Sequence, residues 1–273
     1  AFQSVSLSHT HTSPVIACTP LYDASALPDP AVARIRNVQS NTFELSAQQA
    51  TPSGDDSTQY SFSCLVVDEG VYTEGQDGVK MEAHVLSSAP VRKYARKGML
   101  YNLPSNTAMQ NTYTTPVVLT QVMSSADVRY QVAYACSSSF RNPPTSTSLR
   151  IGRSTGEDDA ARSDEQVGYI IFEAGQGALP GSAVSFSAQV SGDAVVGVTS
   201  SNAAQLPFDG SDMEPGQMTA VASVNGFDGA DGGFPVIFGI VGESVTVGFD
   251  EDQVLDVERG HTTEQVALVV LGT

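Results

Sequence analysis

Apolar and polar positions alternate along much of this chain, and where the alternation stops the apolar runs stay short. Period-two alternation marks half-buried strands, and short continuous apolar runs bounded by turn residues mark strands buried on both faces. Three of the runs carry a proline near their start: Pro14 in SPVIACTPL, Pro116 in TPVVLTQV and Pro235 in FPVIFGIV. Each is followed further along by a second apolar run, YSFSCLVVDEG, VGYIIFEAG and VALVVLG respectively. A further segment recurs, since VKMEAHV at residues 79–85 reads like VSFSAQV at 184–190. One building block written three times is the simplest account of these positions.

The remaining segments read as strands joined by turns. Val128, Tyr130, Val132 and Tyr134 alternate with polar residues, and AVARIRNV puts Val32, Arg34 and Arg36 on one face. DASALPDP, TPSGDDSTQ and RNPPTSTS are loops by composition. Almost nothing reads as a helix longer than about two turns. The expected fold class is all-β with little helix: tandem antiparallel β-sandwiches over residues 1–75, 76–178 and 179–273. The first sandwich lacks the strand that opens the other two. That strand lies in a longer precursor, is supplied by another chain, or is dispensed with, and an open sheet edge there would be ready for strand addition.

In order and at similar spacing, SPVIACTPL, ARIRNVQSNTFELS and YSFSCLVVDEG make residues 5–69 resemble the H-type lectin family, small six-stranded antiparallel sandwiches of the snail agglutinin kind. Residues 109–175 resemble it through TPVVLTQV, VRYQVAYACSSSF and VGYIIFEAG, and the last third through PVIFGIV and VALVVLG. The resemblance implies a sugar held near a subunit interface by an arginine on the third strand, by an early acidic loop and by a Trp-His pair. Arg34 falls on the arginine position, Gln131 on its counterpart in the second repeat, and Ala50 and Thr51 on the Trp-His pair. The chain departs from the family here, having no tryptophan at all.

Composition narrows the partners. The 273 residues carry a formal charge of -17, and from Ser163 onward sixteen acidic residues face the single base Arg259. Such a surface repels nucleic acid and anionic membrane. No apolar run nears the roughly 18 residues of a membrane helix, so membrane insertion is not expected. A first residue that is Ala rather than Met fits a processed or excised segment. Three cysteines are too few for a disulfide scaffold. Cys18 and Cys64 either bridge the first unit or are, with Cys136, buried thiols.

Candidate chemistry follows from residue type. Arg34, Arg36, Gln48 and Gln49 offer planar polar groups for a glycan or polysaccharide, and Tyr22 or Tyr60 a ring face for a pyranose. Arg92, Lys93, Arg96 and Lys97 concentrate positive charge suited to self-association with the acidic half of a second copy. His9 and His11 would share a strand face as a metal pair but have no third ligand at a recognisable spacing, while His84 and His261 are expected at solvent-facing positions. Calcium is the one cofactor considered, at residues 207–216, 226–233 and 249–253, although no EF-hand spacing is present. No GxSxG, HExxH, phosphate loop or GxGxxG follows a strand, so no enzyme is expected. The expected function is an extracellular or cell-surface, non-catalytic carbohydrate-binding or adhesion protein. The alternative is a structural subunit of a filament, sheath or fibre assembled head-to-tail through strand addition. A third option is accessory modules cut from a polysaccharide-degrading enzyme.

Overall fold

The computed structural model describes residues 1–51, 58–87, 91–92, 103–158, 160–200, 203–229 and 231–273. The chain is all-β. Among the described residues the one helical turn is α1 (Glu74–Asp77), closed by Gly78 in the left-handed conformation (φ 72°) that glycine adopts without steric cost.

The first third forms β1 (Gln3–Ser6), β2 (Pro14–Leu21), β3 (Ala31–Arg36), β4 (Thr42–Gln49) and β5 (Ser61–Asp68). Strands β2 and β5 pair antiparallel, and β1-β4-β3 make a second sheet. The second third forms β6 (Gly70–Tyr72), β7 (Met81–Ser87), β8 (Val91–Arg92), β9 (Pro116–Val122), β10 (Val132–Cys136), β11 (Arg150–Ser154) and β12 (Gln166–Glu173). Here β6-β7-β12-β9 form one sheet, and β10-β11-β8 lie side by side in another. The last third forms β13 (Gly175–Ala178), β14 (Ser185–Val190), β15 (Ala204–Pro207), β16 (Thr219–Asn225), β17 (Phe234–Val241), β18 (Ser244–Asp250) and β19 (Val266–Gly272). Its strands β13-β14-β19-β16 run together, as do β15-β18-β17.

The repeat is therefore visible in the pairing. Strands β2, β9 and β16 are counterparts, as are β5, β12 and β19, and β7 and β14 flank the last two of these closing strands. The sheets do not stop where the sequence placed its boundaries. Residue 75 falls in the connection of hairpin β6–β7, and Ala178 is the last residue of β13, paired with Ser185 in hairpin β13–β14. Beyond them β10 lies parallel to β16 (Tyr134 beside Val224), and β2 lies beside β17, where the Tyr22 N–H donates to the Ile237 carbonyl at 2.9 Å. Exposed strand edges carry unpaired amides, and joining edge to edge satisfies them.

One sequence correspondence needs correction. Pro235 heads β17, the counterpart of β3 and β10, whereas the counterpart of β2 and β9 is β16, which contains no proline. Proline marks strand positions whose N–H is not needed. In β2 the Glu69 N–H bonds the Ser13 carbonyl, so the amide positions of Pro14 and Pro20 point away from β5. Equivalent strands need not share that freedom.

Two-sided burial follows from the strand period. In the second third, Val118, Tyr169 and Ile171 face Ala133, Ala135 and Ile151 across the local sandwich. Their neighbours Val117, Leu119, Ile170 and Phe172 point the other way, into a core shared with Val15, Ala17, Leu65 and Val67 of the first third and Val221, Val269 and Leu271 of the last. In the last third, Ala220, Leu268 and Val270 face Ile237, Val245 and Val247. Apolar residues on both faces explain why these strands read as continuous runs.

Around the shared core, three evenly spaced side chains tie the thirds into a ring. Thr19 Oγ1 accepts from the Ala222 N–H (2.7 Å) and donates to the Ala222 carbonyl (2.8 Å). Ser223 Oγ accepts from the Thr120 N–H (3.0 Å) and donates to the Thr120 carbonyl (3.3 Å). Gln121 Oε1 accepts from the Cys18 N–H (3.2 Å), while its Nε2 donates to the Ala33 carbonyl (2.8 Å). Each third thus caps backbone of another, and the circuit closes. Close approach also demands small residues. A Cβ on Gly168 of β12 would collide with Met123 Sδ and crowd Val15, and at the matching position in β5 Ser63 touches Thr219 hydroxyl to hydroxyl (2.5 Å).

Replacing Thr19 with Val keeps the shape and leaves a buried N–H and C=O of Ala222 unpaired. Chemical denaturation should show a loss of about 1–3 kcal/mol, and Ser223→Ala should behave alike.

Candidate functional site

The residues expected to hold a sugar do not converge. Arg34 on β3 is buried, 2% exposed, and its guanidinium forms an ion pair with the equally buried Glu165 and donates to the Asp127 carbonyl (2.9 Å). Gln48 donates to the Val128 carbonyl (2.8 Å) beside it. Glu165 also accepts from the N–H groups of Asp127 (2.8 Å) and Ala126 (3.1 Å), from the Ser124 hydroxyl and from Gln131 Nε2 (3.1 Å). Arg153 donates to Gln131 Oε1 and to the Ser163 carbonyl (3.0 Å), completing the cluster. Burial draws the Arg34 guanidinium below its ordinary pKa, and the Glu165 carboxylate opposes the shift. Arg34 and Gln131, matched to one family position in two repeats, meet on the same carboxylate and lock the first third to the second.

The other three lie elsewhere. Arg36 pairs with Glu44 (2.5 Å) and covers the Phe2 ring (3.9 Å to its centre) at the outer end of β3. Gln49 points to the opposite side of β4 from Gln48, as the strand period requires, and donates to the Tyr60 hydroxyl (3.4 Å), which donates to the Asp29 carbonyl (3.0 Å). Tyr22, the alternative ring, is buried and donates to Asp250 (2.9 Å). Of the four bases expected to drive self-association, Arg92 is placed only as backbone in β8, and Lys93, Arg96 and Lys97 lie outside the described residues.

What sequence reasoning missed is the loop after β18. Asp250, Glu251 and Asp252 are consecutive and all nearly fully buried. Arg259 grips Asp250 with two bonds (2.8 and 2.7 Å). His261 sits between Glu251, in contact with its Nδ1, and Glu264, 2.7 Å from its Nε2. Expected on a solvent-facing strand, this imidazole is 1% exposed, because an imidazolium is what two buried carboxylates require. His84 is likewise not solvent-facing: its side chain is 16% exposed, 3.8 Å from Glu82, and tilted against Tyr169. Asp252 accepts from the N–H groups of Glu157 (3.0 Å) and Val254 (3.2 Å), Glu157 accepts from Leu255 N–H (2.9 Å), and Gln253 N–H donates to the Ala50 carbonyl (2.6 Å). The loop thereby touches all three thirds. Its signal in the sequence was the FDEDQ run at residues 249–253, considered there for calcium, followed by Arg259 and His261.

Burial sets the protonation of this loop. It raises Asp252 to about 8, with the Glu157 and Glu251 charges adding to the shift, and raises Glu251 to about 7 against the pull of His261. Burial works against the His261 cation, but Glu251 and Glu264 outweigh it and raise the imidazole to about 9. Among the described residues, Asp231, Glu251 and Glu258 bring carboxylate oxygens within 4.8 Å of one another, drawing on two of the loops considered for calcium. His261 already supplies positive charge to Glu251. His11 lies 3.4 Å from Asp68.

Beside this loop is a polar hollow of about 310 Å³ lined by Asp29, Thr51, Gln253, Asp256 and the apolar Leu255 and Val257. Gln253 Nε2 donates to the Val257 carbonyl (2.8 Å), which holds the rim in place. Gln49 and Tyr60 adjoin it through Asp29.

Comparison of the chain with protein-family models, with curated proteins and with solved structures finds no match.

Two outcomes follow. Glu165→Gln should cost about 3–5 kcal/mol in denaturant unfolding because Arg34 is left buried and unpaired, and Arg34→Met with Glu165→Gln should cost less than the sum of the two single changes. Stability should also fall as pH rises from 5 to 9. Asp252, Glu251 and His261 all hold protons in the folded chain above the pH at which the unfolded chain releases them, so the stability present at low pH is lost as each folded pKa is passed. Asp252→Asn should flatten the melting-temperature profile between pH 5 and 8.

Proposed function

We propose that the protein is an extracellular, non-catalytic carbohydrate-binding or adhesion protein whose ligand site is the hollow between the first and last thirds. The observation that carries this reading is its lining: Asp29 and Asp256 offer carboxylates to sugar hydroxyls, Thr51 a hydroxyl, and Leu255 and Val257 exposed apolar surface. A pyranose needs that mixture, and ligand pockets begin at roughly 300 Å³. The position supports the reading independently. Thr51 stands where the lectin resemblance places part of the family's sugar-binding pair, and the hollow lies at a junction between repeats, where that family holds its ligand. Arg34, committed to Glu165, takes no part.

The lining selects the sugar class. Two carboxylates in a chain of charge -17 repel uronate, sulfate and sialate groups and favour neutral or amino sugars. Extracellular placement is supported by the disulfide between Cys18 and Cys64, a bond that persists in oxidising compartments, while Cys136 is a buried thiol outside the bridge.

A glycan array probed with the full chain should show binding to neutral or amino-sugar glycans, and Asp29→Asn or Asp256→Asn should weaken it about tenfold or more, roughly the loss of one charge-assisted hydrogen bond. A folded chain that binds no neutral glycan, or binds equally well with both carboxylates removed, would overturn the reading.

A further inference from the structure

In the second and last thirds the closing strand is paired on both sides, β12 between β9 and β7, β19 between β16 and β14. In the first third β5 pairs with β2 alone, and among the described residues no strand lies on its other side. Alternation of the β2–β5 bonds, set by Glu69 N–H to Ser13 carbonyl, turns the amides of Phe62, Cys64 and Val66 outward. At the end of the strand the Asp68 carbonyl is taken by the Tyr72 hydroxyl (2.9 Å). The counterpart of Asp68 in β12 is Glu173, and there the outward N–H donates to Lys80 beside β7 (3.1 Å).

The two strands that fill this place elsewhere share one side-chain pattern. Met81, Ala83 and Val85 of β7 lie opposite Phe172, Ile170 and Gly168. Phe186, Ala188 and Val190 of β14 lie opposite Leu271, Val269 and Ala267. All six belong to or pack against the shared core. The matching positions of β5 are Val67, Leu65 and Ser63, two apolar residues followed by a small one as in the other repeats. The Cys18–Cys64 bridge pins β5 to β2 in register, so the edge is held straight without an outer neighbour.

We propose that the outer edge of β5 accepts an extended segment of a separate polypeptide, which adds antiparallel as a further strand and carries a large apolar residue, then alanine, then valine at alternate positions. Backbone bonding supplies affinity, and the alternate side chains supply selectivity by entering the shared core beside Val67 and Leu65. The surface is independent of the sugar hollow, so either assignment stands or falls alone.

The test uses the folded, disulfide-intact full chain and a labelled peptide with the sequence of residues 79–87, VKMEAHVLS. Fluorescence anisotropy should show saturable binding, the same peptide with Ala83→Lys should bind about tenfold more weakly or worse, and hydrogen exchange of the Phe62, Cys64 and Val66 amides should slow on binding. No binding, equal binding of the lysine peptide, or protection confined to other strands would overturn the proposal. Concentration-dependent dimerisation that protects those same amides without peptide would assign the edge to a second copy and overturn it as well.

Discussion

Three buried side chains, Thr19, Gln121 and Ser223, bond backbone that belongs to another third of the chain, and the circuit returns to its start. A row of independent domains has no use for such groups, since a polar side chain facing a shared apolar core costs free energy unless both its functions are met. Here they are met only when all three thirds are in place. The ring also fixes register: moving a strand by one residue would turn its hydroxyl or amide away from the core and put an apolar side chain against a naked amide. The boundaries between repeats are therefore boundaries of sequence, crossed by hydrogen bonds in space.

The departures from threefold regularity are informative because the ring makes the repeats comparable. Among the described residues the first third has no counterpart of β7 or β14, and it alone carries a disulfide across its two central strands. Covalent linkage and a third strand are two means of restraining the same closing strand. The last third differs in its long loop after β18, which reaches the Ala50 carbonyl in one neighbour and the Glu157 N–H in the other. That loop concentrates buried charge where the repeats meet.

Charge is distributed accordingly. Two arginines of an acidic chain, Arg34 and Arg153, are almost wholly enclosed, and in the last third Arg259 pairs with Asp250 and His261 with Glu251 and Glu264. Arg34, Arg153 and Arg259 thus lie inside, at junctions, while Arg36, Arg129 and Lys80 stay partly exposed beside carboxylates of their own. An arginine that would be free to meet a ligand in a separate domain becomes a structural tie once a second repeat packs against it. The Leu255 and Val257 side chains, by contrast, are exposed because the loop that carries them is anchored on either side.

Strand positions, the all-β class and the repeat were legible in the sequence because alternation and apolar runs are local consequences of a two-residue period. The open edge of β5 was legible too, as a segment present in two repeats and missing from one. What depended on tertiary structure was everything set by the meeting of distant strands. Pro235 was matched to the wrong strand because proline tolerance depends on which amides face outward. Arg34 was read as a ligand-binding group because its partner Glu165 lies far along the chain, and His261 was placed in solvent because the carboxylates that enclose it are gathered only by folding. Sequence alone determined which residues could be buried in strands; only packing decided which polar ones would be buried with them, since the free energy of a charge depends on the partner the fold brings to it.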